Sequence, residues 1–227
     1  MLPGVSAAYE APVQAPVRPA SFCAGCPHRG FFYELGKRKD TVMIGDIGCY
    51  ALGGSAPLNA KDLAVCMGSA FSVAHGFSHG LQLSDQKKRV VACMGDSTFF
   101  HTGINSLTDV AYNGSNAICV ILDNRITGMT GHQDNPGTGY TLLGDEAPML
   151  SVEKIFTAMG FAPVLTVDPQ DLTAMKETVD RAVAALERGE HPAIVTRRPC
   201  LLIKRDRFQN GMCHVEPDKC RSCRSCL

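Results

Sequence analysis

The chain has 227 residues, of which 45% are hydrophobic, and its 22 basic and 22 acidic side chains leave no net charge. Such a chain can bury one good core, and its neutrality gives no electrostatic reason to expect nucleic acid or an anionic membrane as a partner. No apolar run approaches the roughly 18 residues that span a bilayer, and the proline-rich start lacks the basic-then-apolar order of a signal peptide. We therefore expect a cytoplasmic protein that binds neither nucleic acid nor a membrane.

Composition divides the chain into three parts. Residues 1–20 contain four of the 13 prolines and no periodic apolar pattern, so they are predicted to be a linker. Residues 21–203 alternate apolar runs with helical patterns and are predicted to form the folded domain. Residues 204–227 contain four cysteines and are predicted to begin a separate metal-binding segment that is incomplete.

The periodicity of the apolar residues predicts an α/β domain. Short apolar runs predict about six strands, at residues 41–44, 63–67, 90–94, 117–122, 162–167 and 192–197. Helical patterns occupy residues 31–39, 68–83, 102–113, 151–159 and 168–188, with Ser151 as a candidate N-cap. This alternation favours a doubly wound, mostly parallel sheet, followed by a short cysteine-rich C-terminal tail.

The stretch from residue 90 to residue 133 contains the most informative pattern. The strand at 90–94 stops at the sequence GDS, which contains Asp96, and the strand at 117–122 ends shortly before Asn124. Because parallel strands end at the same edge of a sheet, these two side chains are expected to lie together where α/β sheets bind ligands. A carboxylate and an amide there suit a Mg²⁺ ion that carries a phosphate. The alternative is an ordinary strand–helix–strand unit, since Asp and Asn are common turn residues.

The spacing of these two residues resembles the magnesium-binding fingerprint of thiamine diphosphate enzymes. In that family, Gly-Asp-Gly or Gly-Asp-Ser is followed at a characteristic distance by Asn, and Asn124 follows Asp96 at a matching distance. The resemblance implies that Asp96, Asn124 and the backbone carbonyl of Ile126 ligate the Mg²⁺ ion of the cofactor.

Eleven cysteines are many for a cytoplasmic chain, in which disulfides are rare, so metal binding is the natural expectation for those that cluster. Three lie inside apolar runs and are predicted to be buried small hydrophobic residues, namely Cys66, Cys93 and Cys119. The other eight require another explanation.

Four of these eight cysteines are expected to converge. Cys23 and Cys26 form a CxxC loop before the first helix, Cys49 follows the first strand, and Cys200 follows the last strand. Because those strands end at the edge of the predicted Mg²⁺ site, the four thiolates can meet near it and suit a 4Fe-4S cluster. In the alternative, Cys49 and Cys200 are simply buried thiols, and the CxxC loop binds zinc or nothing.

The C-terminal tail contains the pattern CxxCxxC, formed by Cys220, Cys223 and Cys226. This spacing matches the beginning of the bacterial ferredoxin pattern, which continues to a fourth cysteine. The tail is therefore predicted to hold the start of a second, incomplete iron–sulfur site, with a zinc knuckle as the alternative.

Five motifs in this order point to one family: CxGCPHRG, GDIGCY, GDSTFFHTGI, ILDNRITGMTGHQ and RRPC. Between about residue 20 and residue 203 they resemble the thiamine diphosphate-binding part of indolepyruvate ferredoxin oxidoreductase alpha subunits, which belong to the 2-oxoacid:ferredoxin oxidoreductases. The resemblance implies oxidative decarboxylation of a 2-oxoacid, with an aryl pyruvate such as indolepyruvate favoured, and transfer of the acyl group to coenzyme A. It also implies that electrons leave one at a time through 4Fe-4S clusters to ferredoxin.

The same resemblance implies which residues contact the cofactor. They come from the GDIGCY loop, the start of the helix at 68–83 with the residue before it, the GDS turn and the loop after the strand at 117–122. They are Ile47, Gly48, Cys49, Tyr50, Met67, Gly68, Ser69, Gly95, Asp96, Ser97, Asn124, Ile126, Thr127, Gly128, Met129 and Thr130.

No catalytic residue is expected in this chain, because in the family a glutamate that activates the cofactor comes from a partner domain. The expected partners are the pyrimidine-binding half of the enzyme, its beta- or gamma-type subunit, and ferredoxin. Since the family subunit also has a large N-terminal portion and a complete cluster domain, the chain is predicted to be a fragment or a split subunit.

Two other classes of protein fit parts of the sequence. A non-redox thiamine diphosphate decarboxylase or synthase uses the same Mg²⁺ fingerprint without clustered cysteines. An iron–sulfur or zinc electron-carrier module accounts for the tail and leaves the spacing of Asp96 and Asn124 as a coincidence. Iron content separates the first class from the redox enzyme, and a thermal shift with thiamine diphosphate and Mg²⁺ separates the second.

Overall fold

A computed structural model of the chain describes residues 19–203 and 215–221. Its centre is a five-stranded parallel sheet with the strand order β1-β2-β3-β5-β4. The strands are β1 (Thr41–Ile44), β2 (Arg89–Gly95), β3 (Ala117–Asp123), β4 (Val164–Val167) and β5 (Ala193–Arg197). The predicted α/β fold with a parallel sheet is therefore confirmed.

Within the described residues, one helix precedes β1 and the others connect the strands. They are α1 (His28–Gly36), α2 (Ala70–Gln82), α3 (Asp96–Thr98), α4 (Ile104–Asn113), α5 (Val152–Ala158) and α6 (Leu172–Glu187). A π-helical turn, Phe99–Gly103, joins α3 to α4, and 3₁₀ turns occupy Cys49–Gly54 and Pro217–Lys219. In this part of the chain, no helix combines the length and the apolar character needed to cross a bilayer.

The sheet has a hydrophobic core on each face, which is the doubly wound arrangement that the sequence predicts. Along β2 the side chains alternate, with Val91 and Cys93 in one core and Ala92 and Met94 in the other. Helices α1 and α6 cover the first face, whereas α2, α4 and α5 cover the second. Strands buried on both faces read as continuous apolar runs, and this is why the periodicity marks β2 and β3 clearly.

Local signals set several helix ends. The side chain of Ser151 accepts a hydrogen bond from the backbone N–H of Lys154 at 3.2 Å, so the predicted N-cap of α5 is confirmed. Asp171 caps α6 in the same way through the N–H of Ala174. Helix α4 ends at Asn113, and the next residue is Gly114, whose φ of +66° is a left-handed conformation that glycine adopts without a Cβ penalty.

The predicted strand at 63–67 is wrong, so the described sheet has five strands rather than six. Leu63 alone bridges the edge strand β1. The chain then turns, because the hydroxyl of Ser69 accepts a hydrogen bond from the N–H of Cys66 and donates one to its carbonyl. The side chains of Val65 and Met67 are 62% and 57% exposed, so this apolar run lies outside the two cores.

Of the three cysteines that lie in apolar runs of the sequence, two are buried and one is exposed. Cys93 and Cys119 are fully buried in the sheet, as predicted. Cys66 is exposed, so its predicted burial is wrong, and the cause is the turn that replaces the expected strand.

Candidate cofactor site

The two predicted metal ligands meet at the carboxyl edge of the sheet. The register pairs Gly95 of β2 with Leu122 of β3, so Asp96 and Asn124 follow neighbouring strand ends. Asp96 is the first residue of α3, which begins before the predicted helix start at about residue 102. The two residues are buried, with 3% and 8% of their surface exposed. The structure therefore brings together the two side chains that the sequence places here by topology.

These side chains line a cavity of about 110 Å³. The predicted cofactor-binding residues all line it, except Gly68 and Ser69. His28, Thr98 and Leu122 also line it, although the sequence did not single them out. Small-molecule pockets usually start at roughly 300 Å³, so this cavity is the size of part of a cofactor site. The binding roles of its residues stay predictions.

The carboxylate of Asp96 is buried next to a neutral partner. Its Oδ2 accepts a hydrogen bond from Asn135 Nδ2 at 3.0 Å. Burial, and after it the negative charge of Asp123, raises the pKa of Asp96 to about 7. A cation bound at this position would favour the charged carboxylate, because an opposite charge offsets the cost of burial.

The residues present fit a magnesium ion. A carboxylate, an amide oxygen and the backbone carbonyl of Ile126 are hard oxygen ligands, and Mg²⁺ uses few protein ligands together with phosphate and water. Along the described residues, no group of three or more His, Cys, Asp or Glu side chains is arranged to hold a metal ion. The predicted Mg²⁺ set contains one residue of those four types, Asp96, and is completed by an amide and a backbone carbonyl.

Hydrogen bonds hold two loops beside α3. On one side, the hydroxyl of Thr127 donates to Ser97 Oγ at 2.7 Å. On the other side, the hydroxyl of Tyr50 donates to the carbonyl of Ile47 at 2.8 Å and lies 3.3 Å from Thr98 Oγ1. The loop after β1 and the loop after β3 are thereby held against the same short helix.

Asp46 joins the loop after β1 to the start of α2, a role that sequence reasoning missed. Its side chain is fully buried and accepts hydrogen bonds from the N–H groups of Ile47 at 2.6 Å and Gly68 at 2.7 Å. Burial raises the pKa of Asp46, while these backbone donors oppose the shift. A signal was available in the sequence, because a Gly-Asp pair stands where β1 ends and another stands where β2 ends.

The ring of His28 lies beside Asn124, one of the predicted Mg²⁺ ligands. Its Nε2 lies 3.5 Å from Asn124 Nδ2. Burial lowers the pKa of His28 to about 4, so the ring is neutral near pH 7 and can accept a hydrogen bond from the amide. The ring also packs edge-on against Tyr50 at a centroid distance of 6.0 Å.

The four cysteines predicted to share a cluster lie near one another. Burial raises the pKa of Cys26 to about 12, a hydrogen bond from the N–H of His28 opposes this, and Cys23, Cys200 and Cys49 are close enough for their charges to raise it further. Ligands of a cubane bind different irons, so they need not converge on a single point as ligands of one ion do. The cluster itself stays a prediction.

The predicted second site in the tail falls mostly outside the described residues. Cys220 is exposed, while Cys223 and Cys226 lie outside the residues that the structure describes. Nearly all of the predicted linker at 1–20 also lies outside them.

Comparison with known sequences identifies the domain. Residues 46–196 match the family described as the thiamine pyrophosphate enzyme, C-terminal TPP-binding domain, thiamine pyrophosphate being another name for thiamine diphosphate. Indolepyruvate oxidoreductase subunit IorA of Pyrococcus horikoshii is 40% identical in an alignment of length 228, which covers 93% of this chain and 35% of that protein. The IorA subunit of Methanothermobacter marburgensis is 39% identical in an alignment of length 226, which covers 96% of this chain and 35% of that protein. The chain thus spans about a third of the length of these relatives.

Solved structures agree on the fold. The 2-oxoglutarate:ferredoxin oxidoreductase from Magnetococcus marinus superimposes with a TM-score of 0.62 at 22% identity, covering 81% of this chain and 65% of that chain. Benzoylformate decarboxylase from Polynucleobacter necessarius gives a TM-score of 0.51 at 17% identity, covering 85% and 35%. The sequence resemblance to indolepyruvate oxidoreductase alpha subunits is confirmed by the IorA matches. Because the family match extends from just after β1 into β5, the chain belongs to the thiamine pyrophosphate enzymes as a C-terminal cofactor-binding domain.

Proposed function

We propose that the chain holds thiamine diphosphate and Mg²⁺ in a 2-oxoacid:ferredoxin oxidoreductase, which converts a 2-oxoacid and coenzyme A to acyl-CoA and CO₂. Each turnover releases two electrons and one proton, and the electrons pass through iron–sulfur clusters to ferredoxin. Membership of the thiamine pyrophosphate family supports the cofactor. Similarity to the IorA and VorA subunits supports the reaction class, and the IorA identity favours an aryl pyruvate such as indolepyruvate.

The observation that carries the proposal is the meeting of two buried residues, Asp96 and Asn124, at one cavity at the carboxyl edge of the sheet. When bound, thiamine diphosphate supplies the nucleophilic carbon and the electron sink for the decarboxylation of 2-oxoacids. Asp96, Asn124 and the carbonyl of Ile126 would hold the Mg²⁺ ion, whose charge offsets that of the two phosphates. The loops tied to Ser97 and Thr98 would hold the rings and exclude water.

The grouped cysteines favour the redox enzyme over a non-redox decarboxylase. Cys49 lines the same cavity as Asp96, and it lies within electrostatic range of Cys23 and Cys200. A cluster on these thiolates would lie beside the cofactor, which suits the removal of electrons one at a time. A non-redox decarboxylase has no use for such a group.

The exposed side chains around the cavity favour the presence of a partner domain that covers it. Ile47, Met67 and Met129 line the cavity and are 40%, 57% and 56% exposed. Exposed apolar side chains around a small cavity suit a covering surface, which we assign to the pyrimidine-binding half of the enzyme. That half would also supply the glutamate that activates the cofactor.

Calorimetry with thiamine diphosphate and Mg²⁺ on the purified chain tests the proposal. The unaltered chain should bind the cofactor only when Mg²⁺ is present. Asp96→Ala should abolish binding, because the metal loses its charged ligand, and Asn124→Ala should weaken it less. The exposed Asp85 offers a matched control, and Asp85→Ala should bind normally. Wild-type affinity in Asp96→Ala would refute the site.

A further inference from the structure

The loop at residues 127–138 is fastened to the GDS turn at two points. Near its start, the hydroxyl of Thr127 donates to Ser97 Oγ at 2.7 Å. Near its end, the side-chain amide of Asn135 donates to Asp96 Oδ2 at 3.0 Å. The second of these hydrogen bonds is made to Asp96, which is itself a proposed Mg²⁺ ligand.

The orientation of the Asn135 side chain is determined by its other hydrogen bonds. The residue is 4% exposed. Its Oδ1 accepts a hydrogen bond from the N–H of Gly137 at 2.9 Å, and its backbone carbonyl accepts one from the hydroxyl of Thr138 at 2.9 Å. Because Oδ1 is engaged by a donor, the amide cannot flip without losing that bond, so Nδ2 must face Asp96.

We propose that Asn135 is the positioning residue of the Mg²⁺ site. Its amide holds the carboxylate of Asp96 in one orientation and makes metal binding depend on the position of the 127–138 loop. A carboxylate has about four lone-pair sites, so this bond leaves others for the metal. The proposal rests on the proposed Mg²⁺–thiamine diphosphate function.

A neutral amide is the appropriate chemical group for this task. A lysine or arginine in its place would pair with Asp96 and compete with the metal for the carboxylate charge. The amide instead orients the oxygen and leaves its charge to the cation. Partners of this kind orient the ligands of metal sites generally, and their loss typically costs about 10–100-fold in metal affinity.

The test is a titration of the full chain with Mg²⁺ at a fixed concentration of thiamine diphosphate. Calorimetry measures the binding. Asn135→Leu keeps nearly the same size and removes the donor. We expect it to need about 10–100-fold more Mg²⁺ for half-saturation, with full binding recovered at high Mg²⁺. Asn113→Ala is the matched control, since it removes an exposed Asn–Asp hydrogen bond of 2.8 Å and should leave the titration unchanged.

A second variant separates positioning of the metal ligand from attachment of the loop alone. Thr127→Val removes the other fastening without touching Asp96. It should weaken cofactor binding equally at every Mg²⁺ concentration, whereas the defect of Asn135→Leu should disappear at high Mg²⁺. If Asn135→Leu does not unfold cooperatively, Asn135→Ser replaces it, because a hydroxyl can still accept from Gly137 but is too short to reach Asp96.

Two outcomes overturn the inference in different ways. Asn135 variants that fold and keep the wild-type Mg²⁺ dependence would show that Asp96 is held without this amide, while the proposed function would stand. Failure of the unaltered chain to bind thiamine diphosphate at any Mg²⁺ concentration would remove the proposed function together with the inference.

Discussion

The backbone N–H of Cys200 donates a hydrogen bond to the backbone carbonyl of Asn124 at 2.9 Å. Cys200 is a proposed cluster ligand and Asn124 a proposed Mg²⁺ ligand, so the two proposed centres share a direct main-chain contact. His28 makes a second link, because its backbone N–H is close enough to the thiol of Cys26 to oppose the rise in that thiol's pKa, and its ring lies 3.5 Å from the Asn124 amide. The same few residues therefore position both centres.

The first prediction concerns the proposed cluster. A chain that ends before Cys213, purified without oxygen, should contain about four irons and matching sulfide, as a 4Fe-4S cluster requires. Cys200→Ala should leave the cluster labile or with three irons, because one thiolate is lost. Iron and sulfide analysis with electron paramagnetic resonance measures this.

The control for the cluster is Cys66→Ala, since Cys66 is an exposed cysteine outside the proposed set. It should leave the iron content unchanged. Iron that is absent from the shortened chain, or that is unaffected by both Cys200→Ala and Cys49→Ala, would eliminate this cluster.

The second prediction is that the isolated chain does not turn over. The proposed activating glutamate belongs to a partner domain, so the chain with thiamine diphosphate, Mg²⁺ and coenzyme A should not reduce a viologen dye with a 2-oxoacid. Adding the partner portion should restore reduction. Robust activity of the chain alone would mean that one of its own glutamates acts on the cofactor.

The third prediction is a pH-dependent contribution of Glu153 to stability. Burial raises the pKa of Glu153, but hydrogen bonds from Arg197 and Ser151 outweigh it and lower the pKa to about 2. A carboxylate with a depressed folded-state pKa stabilises the fold above its unfolded pKa of about 4.3. That contribution is lost as the pH falls towards the folded-state value of about 2.

Glu153→Gln should therefore lower the free energy of unfolding at pH 7 by about 1 kcal/mol, a value reduced for solvent screening. The difference from the unaltered chain should shrink as the pH falls below about 4.3. Urea unfolding at several pH values measures both effects. Glu190→Gln, which breaks an exposed pair with Arg188, should change stability little at any pH. Equal effects of the two substitutions would contradict the prediction.

The fourth prediction compares two helical glycines. A Cβ at Gly30 of α1 would overlap the backbone carbonyl of Pro169, whereas a Cβ at Gly76 of α2 would meet nothing within 4 Å. Gly30→Ala should destabilise the chain by about 2 kcal/mol or more, because backbone cannot move aside easily. Gly76→Ala should stabilise it by about 0.5–1 kcal/mol through helix propensity. Thermal and urea unfolding by circular dichroism measure both, and a stable Gly30→Ala would contradict the packing of α1.

The sequence by itself determined the parallel sheet and its site-bearing edge. Strand β1 begins and ends where the apolar run predicts, and β2 and β3 differ from their runs by a residue or two. These features depend on continuous apolar runs and the polar residues that end them, which are local properties of the chain. Because parallel strands share an edge, the placement of Asp96 beside Asn124 followed from the order of elements alone.

Only the tertiary structure decided which groups found partners. The run at 63–67 has strand-like composition, but it turns away at Cys66, so its side chains stay exposed. The bonds of Asp46 to Gly68 and of Asn135 to Asp96 join residues far apart in sequence, and no local pattern specifies them. A periodic pattern records which face of an element is apolar, whereas the partner of a buried polar group depends on how distant segments pack together.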